Sequence, residues 1–323
     1  MAEANRMRRD PVREVAIDES ASGQRVDNFL TLHLKGVPRS RLYRLLRRGE
    51  VRVNRGRVRP DYRLVPGDIV RVPPIWVPDA QPRMTPTRER RRAIERSILY
   101  EDDGLIVLNK PAGWAVHGGS GVDFGIIECL RAVRTGAGRI ELVHRLDRDT
   151  SGCLLVAKRR RVLASLHEAL RKGRVHKRYL AMTRGNFGPR RRRSDVPLLR
   201  EQRRTGERIV RVHAEGKRSV TDFVPVEVGE IASLVLAQPR TGRTHQIRVH
   251  AAELQMPLAG DEKYGDYSFN RMMRSHGLKR LFLHAASIAI RSGDEGLKFE
   301  APLAPELVSV LDSLGLRANS THR

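Results

Sequence analysis

The stretch ILYEDDGLIVLNKPAG, residues 98–113, sets the character of the larger part of the chain. Two apolar runs flank Asp103-Gly104, a dipeptide suited to a tight hairpin turn. The segment therefore reads as antiparallel β-structure that runs into a Pro-Ala-Gly turn. Downstream, SGCLLVAKR (151–159) is an apolar run of strand length, and RVLASLHEALRKG (161–173) spaces Leu163, Leu166 and Leu170 at helical intervals. KRYLAMTRG (177–185) reads as a strand, and 186–207 as a strongly basic loop. Strands are expected at 208–213, 219–228 and 231–238. RTGRTHQIRVHAAELQ (240–255) passes from loop into helix, LFLHAASIAI (281–290) is a late strand, and PELVSVLDSLG (305–315) a terminal helix. Short strands with a few helices, out of βαβ alternation, define an α+β domain around a mostly antiparallel sheet flanked by helices.

Upstream of the hairpin the chain changes composition. Residues 76–97 are rich in proline and arginine and read as a linker, extended first and then a short helix. Residues 21–75 form a small domain. RVDNFLTLHLKG places Val26, Phe29, Leu30 and Leu34 on one helical face, and VPRSRLYRLLRRGE does the same with Leu42, Leu45 and Leu46. VRVNRGRVRP reads as a strand, a turn at Asn54-Arg55-Gly56 and a second strand; YRLVPGDIVRV adds a turn and the strand Ile69–Val72. Arg39, Arg41, Arg44, Arg47 and Arg48 on the second helix, with Arg55 and Arg57 at the turn, give this domain the look of an RNA-binding module. Residues 1–20 read as a flexible charged arm, 98–316 as the second domain and 317–323 as a tail.

Composition narrows the partners. The chain of 323 residues is longer than one core usually fills, and 62 Lys and Arg against 37 Asp and Glu leave a net charge of +25. So large a positive charge points to an anionic partner. No apolar run approaches the roughly 18–20 residues of a membrane span, and the first twenty residues lack the apolar core of a secretory signal. Cys129 and Cys153 form no paired motif, which fits reduced thiols in the cytoplasm and argues against a cysteine-based zinc site. His245 and His250 are five apart, not the four that puts two ligands on one helix face, so no metal site is expected. There is no phosphate-binding P-loop, and aromatics at 5% are too few for a broad base-stacking platform.

Four stretches can carry chemistry. HRLDRDTSG (144–152) surrounds Asp147 with cations; it reads either as a solvated turn or as a catalytic carboxylate with a fixed charge. Lys177-Arg178-Tyr179-Leu180 opens a strand, where a tyrosine is most often half-buried core. Arg240–His250 is either a phosphate-binding turn at a helix start or a capped helix with a solvated basic face. Asn109–Gly113 reads first as a strand end and turn. Together and in this order, NKPAG, HRLDRDTSG, KRYLA and RTGRTHQIRVH resemble the RluA-type family of pseudouridine synthases. The first 75 residues are similar to the S4 RNA-binding module that precedes the catalytic domain in its large-subunit members. The wording of several stretches is nearest to the C-type branch. The likeness spans roughly residues 20–310.

The resemblance implies a pseudouridine synthase that isomerises uridine in 23S ribosomal RNA or a large-subunit precursor, with base flipping and an essential aspartate. It assigns Asp147 as that carboxylate, Tyr179 as the aromatic on the uracil and Arg248 as the arginine paired with the carboxylate. Arg145 corresponds to the arginine that fills the space left by the flipped base, and Ile247 to an apolar wall; His144, Leu146 and Thr150 complete the substrate pocket. Arg243 and Lys110 join the arginines of the small domain as RNA contacts. The reaction has no net redox change, so no cofactor is expected. A monomer is expected because nothing reads as a dimerisation element. Two alternatives stand beside this reading: a D-type large-subunit enzyme, and a non-catalytic S4-type RNA-binding or ribosome-assembly protein.

Overall fold

The computed structural model describes residues 7–18, 21–34, 36–78, 85–118, 124–134, 140–202, 208–292 and 295–317. They fall into two compact units divided between Thr85 and Pro86. Among the described residues no helix is long and apolar enough to cross a membrane.

The first unit contains β1 (Met7–Asp10), β2 (Arg13–Ala16), α1 (Val26–His33), α2 (Arg39–Arg47), β3 (Arg52–Val53), β4 (Ile69–Val72) and β5 (Ile75–Pro78). Strands β2, β4 and β3 make a three-stranded antiparallel sheet, and β1 pairs with β5. Val26, Phe29 and Leu30 of α1 meet Leu42, Leu45 and Leu46 of α2 in one apolar core. Burying leucines at this spacing turns the arginines of α2 outward: Arg39, Arg44, Arg47 and Arg48 are exposed and Arg41 is half-buried. Two expectations change. Residues 7–16, expected within a flexible arm, are paired strands; after Val15 the chain continues into Ile17, which is 3% exposed and anchors this end in the core. The turn after β3 leads to irregular chain rather than a second strand. Asn54 and Arg55 both adopt positive φ, and Asn54 is pinned by donating to Asp68 and accepting from the Ile69 N–H. That turn displays Arg55 and Arg57 to solvent.

The second unit begins with α3 (Arg88–Arg96), capped by Thr87, whose hydroxyl accepts from the Arg90 N–H. Ile94 of α3 is fully buried in the main core, so residues 86–97 belong to this unit and not to a linker. Then come β6 (Ile98–Glu101), β7 (Leu105–Lys110), α4 (Ile126–Val133), β8 (Glu141–Leu142), β9 (Ser151–Ala157), α5 (Arg160–Arg171) and β10 (Val175–Arg184). They are followed by β11 (Arg192–Ser194), β12 (Leu198–Gln202), β13 (Arg208–Val212), β14 (Thr221–Val228) and β15 (Ala232–Pro239). The chain closes with α6 (Gln246–Glu253), α7 (Tyr267–Ser275), β16 (Leu283–Ser292), β17 (Glu295–Glu300) and α8 (Pro305–Ser313). The region 186–207 expected as a loop holds β11 and β12; α4, α7 and β17 were not anticipated.

The main sheet runs β11-β14-β15-β10-β16-β9-β7-β6, with β17 on β16 and β8 on β9. Every pairing is antiparallel except β9 with β16, which touch in parallel only at Ser151–His284 and Gly152–Ala285. At this seam the register aligns one transverse row. It reads Lys110, Gly152, Ala285, Tyr179, Ala237, Phe223 and Arg192, one residue from each of seven strands. The seam closes because residue 152 has no side chain: its φ is +106°, and a Cβ there would collide with the Ala285 carbonyl.

His284 lies fully buried beside the seam. Its Nε2 faces the Ala301 carbonyl at 3.0 Å and its Nδ1 faces the Ser151 hydroxyl at 2.9 Å, so the neutral ring donates to the first and accepts from the second. Burial holds its pKa down to about 4, against an ordinary 6.5. Between those values the unfolded chain takes up a proton that the folded chain refuses, so stability falls as pH drops from 6.5 towards 4. We predict that His284→Asn removes about 1.4 kcal/mol per pH unit from that slope, read by urea unfolding across the window. An unchanged slope would show that His284 does not carry the acid sensitivity.

Candidate active site

Three elements converge on one cavity of about 730 Å³ in the second unit, a volume typical of small-ligand sites. The first is the loop from His144 to Thr150, which enters β9 at the seam. Leu146 and Thr150 are 6% and 2% exposed and pin it inward; the Thr150 N–H donates to the Asp147 carbonyl and closes the turn. The end of β7 holds the same loop from below. Lys110 is fully buried, and its Nζ donates to the carbonyls of Pro111 (2.7 Å), Trp114 (2.8 Å) and Arg148 (2.9 Å). Lys110 is therefore not an RNA contact, as its sequence context had led us to expect. Its ammonium is used up inside the protein, where it ties the turn after β7 to the residue following Asp147. Burial pushes its pKa down to about 7, against the opposing pull of Asp149 and Asp147.

The second element is the turn into α6. Gln246 organises it: Oε1 accepts from the Thr241 hydroxyl and the Arg243 N–H, while Nε2 donates to the Val220 carbonyl and the Thr221 hydroxyl. These bonds hold His245 in the left-handed region at φ +52°, a conformation that costs a non-glycine residue about 1–2 kcal/mol. The consequence is that His245, Ile247 and Arg248 all reach the cavity. Arg248 is nearly buried. Its Nε and Nη2 donate to the two oxygens of Asp261, each at 2.7 Å, and its Nη1 lies 3.8 Å from Asp147 Oδ2. Arg248 was expected to pair with Asp147, and that ion pair is present at 3.8 Å; its hydrogen-bonded carboxylate, which the sequence reading did not foresee, is Asp261, which also accepts from the N–H groups of Lys263 and Tyr264.

Tyr264 completes the arrangement. Its ring stacks under the Arg248 guanidinium at 5.0 Å, its oxygen accepts from the Val210 N–H, and it lies 2.7 Å from His245 Nδ1. With that oxygen already accepting, its proton goes to Nδ1, which leaves the proton of a neutral His245 on Nε2, 3.9 Å from Asp147 Oδ2. Burial keeps His245 below its ordinary pKa despite the pull of Asp147, consistent with the neutral ring.

The third element is β10. A bulge between Arg178 and Tyr179 turns the strand at the point where Tyr179 enters the cavity. Tyr179 is 7% exposed, and burial together with the Asp147 charge holds its phenol far above the ordinary tyrosine range, so the ring is neutral. Asp147 faces these groups with 28% of its side chain exposed, and among the described residues its carboxylate accepts no hydrogen bond. A carboxylate with cationic company and no hydrogen-bond partner is available for reaction.

The structure thus brings Asp147, Tyr179, Arg248, Ile247, Leu146, His144, Thr150, Arg145 and Arg243 to one cavity. Arg145 is exposed at its mouth and unpaired among the described residues. His144 Nε2 accepts from the Leu155 N–H, so the neutral ring carries its proton on the buried Nδ1. The arginines of α2 and the β3 turn lie in the first unit, on its surface. Sequence reading missed Asp261, Tyr264 and His245; the only signal for the first two was a turn-like GDEKYG at 260–265. Among the described residues no group of three or more His, Cys, Asp or Glu is placed to hold a metal ion.

Comparison with known proteins gives consistent matches. The family model described as RNA pseudouridylate synthase matches residues 104–253, and that of the S4 domain matches 24–70. The chain is 52% identical over 306 residues to "Ribosomal large subunit pseudouridine synthase C" of Pasteurella multocida (strain Pm70), covering 94% of each. It is 50% identical over 308 residues to the protein of that name from Escherichia coli (strain K12), covering 94% of this chain and 97% of that one. Among solved structures it is similar to "Human RNA Pseudouridylate Synthase Domain Containing 4", with a TM-score of 0.59 and 28% identity over 70% of this chain and 96% of that one.

Lys110→Met tests the reassignment of the lysine. Three carbonyls lose their donor, at about 1 kcal/mol or more each, so the thermal midpoint and turnover both drop. The salt dependence of RNA binding stays as in the wild type, because no phosphate contact is removed. A shallower salt slope with an unchanged midpoint would restore Lys110 to the RNA interface.

Proposed function

The chain belongs to the RNA pseudouridylate synthase family, and from that membership we propose that it converts uridine to pseudouridine in large-subunit ribosomal RNA, with Asp147 as the reacting carboxylate. The observation that carries this reading is the Asp147 side chain itself. It is open to the cavity, free of hydrogen bonds among the described residues, and flanked by Arg248 at 3.8 Å and His245 at 3.9 Å. The names of the relatives supply the RNA, and a net charge of +25 suits it.

The isomerisation breaks the C1′–N1 bond, turns the uracil and joins C5 to C1′. Nothing is oxidised or reduced. A carboxylate serves it by attacking C1′, by attacking the ring, or by taking the proton at C2′, and each route requires Asp147 to be charged. Arg248 stands 3.8 Å from that carboxylate without capping it. The target base has first to leave its stack, at a cost of a few kcal/mol. Arg145, exposed and unpaired at the mouth, fills the vacancy, and the neutral Tyr179 ring stacks on the extruded uracil, worth about 1–3 kcal/mol. A phenol held in its neutral form suits stacking and hydrogen bonding better than proton abstraction. His245 Nε2–H offers a donor to the polar edge of the base. In this reading the enzyme works as a cytoplasmic monomer with no cofactor.

Tritium release from 23S rRNA carrying C5-labelled uridine tests the proposal. Wild type releases label; Asp147→Asn, which keeps the shape and loses the charge, falls by about a thousandfold or more while still binding the RNA. If the wild type binds but releases nothing, the chain is an RNA-binding protein on a synthase fold. If Asp147→Asn turns over normally, the reacting carboxylate is elsewhere.

A further inference from the structure

Four successive arginines, Arg190–Arg193, lead into the edge strand β11, and the reaction outlined above uses none of them. The strand sorts them. Arg192 donates to the Phe187 carbonyl at 2.9 Å and lies over the Phe187 ring. Arg190 is exposed and unpaired among the described residues. Arg191 and Arg193 converge on one carboxylate, Asp222 of β14: Arg191 Nη2 and Arg193 Nε are 2.6 and 2.7 Å from Oδ1, and Arg193 Nη2 is 3.4 Å from Oδ2. Arg240, from the loop after β15, brings its Nε to 2.9 Å from Oδ2.

Asp222 is fully buried, on a strand with neighbours on both sides: its register partners are Arg193 on β11 and Gln238 on β15. It is a fixed post. Burial alone would favour the neutral acid, but the three guanidiniums outweigh burial and hold the carboxyl far below the ordinary range. Three cations on one anion leave a net charge of +2, and each arginine keeps about half of its side chain exposed: 50% for Arg191, 54% for Arg193 and 47% for Arg240. Clasping an edge strand needs one such pair. Three, each with N–H groups still facing solvent, form a rigid fork of donors suited to phosphate oxygens. Arg240 and Gln238 also line the cavity that holds Asp147, so the fork borders the reaction site.

We infer that Arg191, Arg193 and Arg240, braced on Asp222, bind backbone phosphates of the RNA strand next to the target uridine and set its path into the cavity. The inference rests on the proposed RNA substrate. Asp222 is its positioning residue: it touches no RNA, and it stops the three arginines from repelling one another apart.

The experiment measures binding of a 23S rRNA fragment by the full chain over a range of KCl concentrations, alongside tritium release from the same fragment. Arg191→Gln with Arg193→Gln is expected to weaken binding about tenfold or more and to flatten the log–log salt slope by about 1.4–1.8, two charges' worth. KM rises and kcat holds. Arg190→Gln changes the slope by less than half as much. Asp222→Asn supplies the sharper contrast. It makes the protein more positive by one charge, so a site governed by net charge binds tighter; a braced fork binds more weakly. Melting temperatures accompany every variant, and if Asp222→Asn does not fold, the arginine pair decides. A wild-type slope in that pair, with only the melting temperature lowered, would mean a strand clasp and overturn the inference, as would tighter binding by folded Asp222→Asn. A wild-type chain that releases no tritium would refute the proposed reaction instead, and the binding measurements would still judge the fork.

Discussion

Arg248 serves two carboxylates at unequal distances, and the site depends on the inequality. A guanidinium buried this deeply needs a partner, since an uncompensated buried charge costs several kcal/mol. Asp261 meets the need with two bonds of 2.7 Å and is itself held by two backbone N–H groups. With Arg248 satisfied, Asp147 is spared. It lies close enough, at 3.8 Å, to feel the positive charge, and is not captured by it. Were Asp261 absent, the arginine's nearest carboxylate would be Asp147, and the group proposed to react would become an inert ion pair. Tyr264 ties the two parts together, stacking on the guanidinium with its ring and fixing the His245 tautomer with its hydroxyl.

The sheet supplies the coordinates for this chemistry. Its two antiparallel lobes meet only at the short parallel contact between β9 and β16, and the loop carrying Asp147 enters at that seam. The transverse row through the seam puts Lys110 under the loop, Tyr179 on one cavity wall and Arg192 at the far edge. Segments far apart in the chain meet at one site because Lys110, the loop exit at Gly152 and Tyr179 share one register line, and the turn into α6 follows β15 from the same row.

Much of this was legible in the sequence. Leucine spacing gave α1, α2 and α5; the Asp103-Gly104 hairpin and the apolar run at 151–157 gave the strands that frame the seam. The elements that escaped have weak local patterns. β2 is only REVA, with Val15 as its single large apolar residue and Ile17 just beyond its end, and α7 is a polar segment, YSFNRMMRS, made helical by burying Phe269 and Met273. At the site, motif order named Asp147, Tyr179 and Arg248. It could not show Asp261, because a carboxylate in a turn looks solvent-bound until the fold buries it against an arginine 13 residues earlier. Lys110 misled for the matching reason: a lysine beside a Pro-Ala-Gly turn reads as a surface cation, and three carbonyls that only the fold brings together make it an interior one.

The bracing of residues 144–150 has a mechanical meaning. Lys110 bonds the loop from below, Leu146 and Thr150 sink into the core, and at its exit the chain passes through a gap where even a methyl group would not fit. Such a loop cannot remodel itself around each new substrate; it acts as a rigid die. In the proposed reaction the work of fitting would then fall on the RNA, and a uridine would be admitted according to how compliantly its surroundings bend. Selection among the uridines of a long transcript would become partly a test of local stiffness.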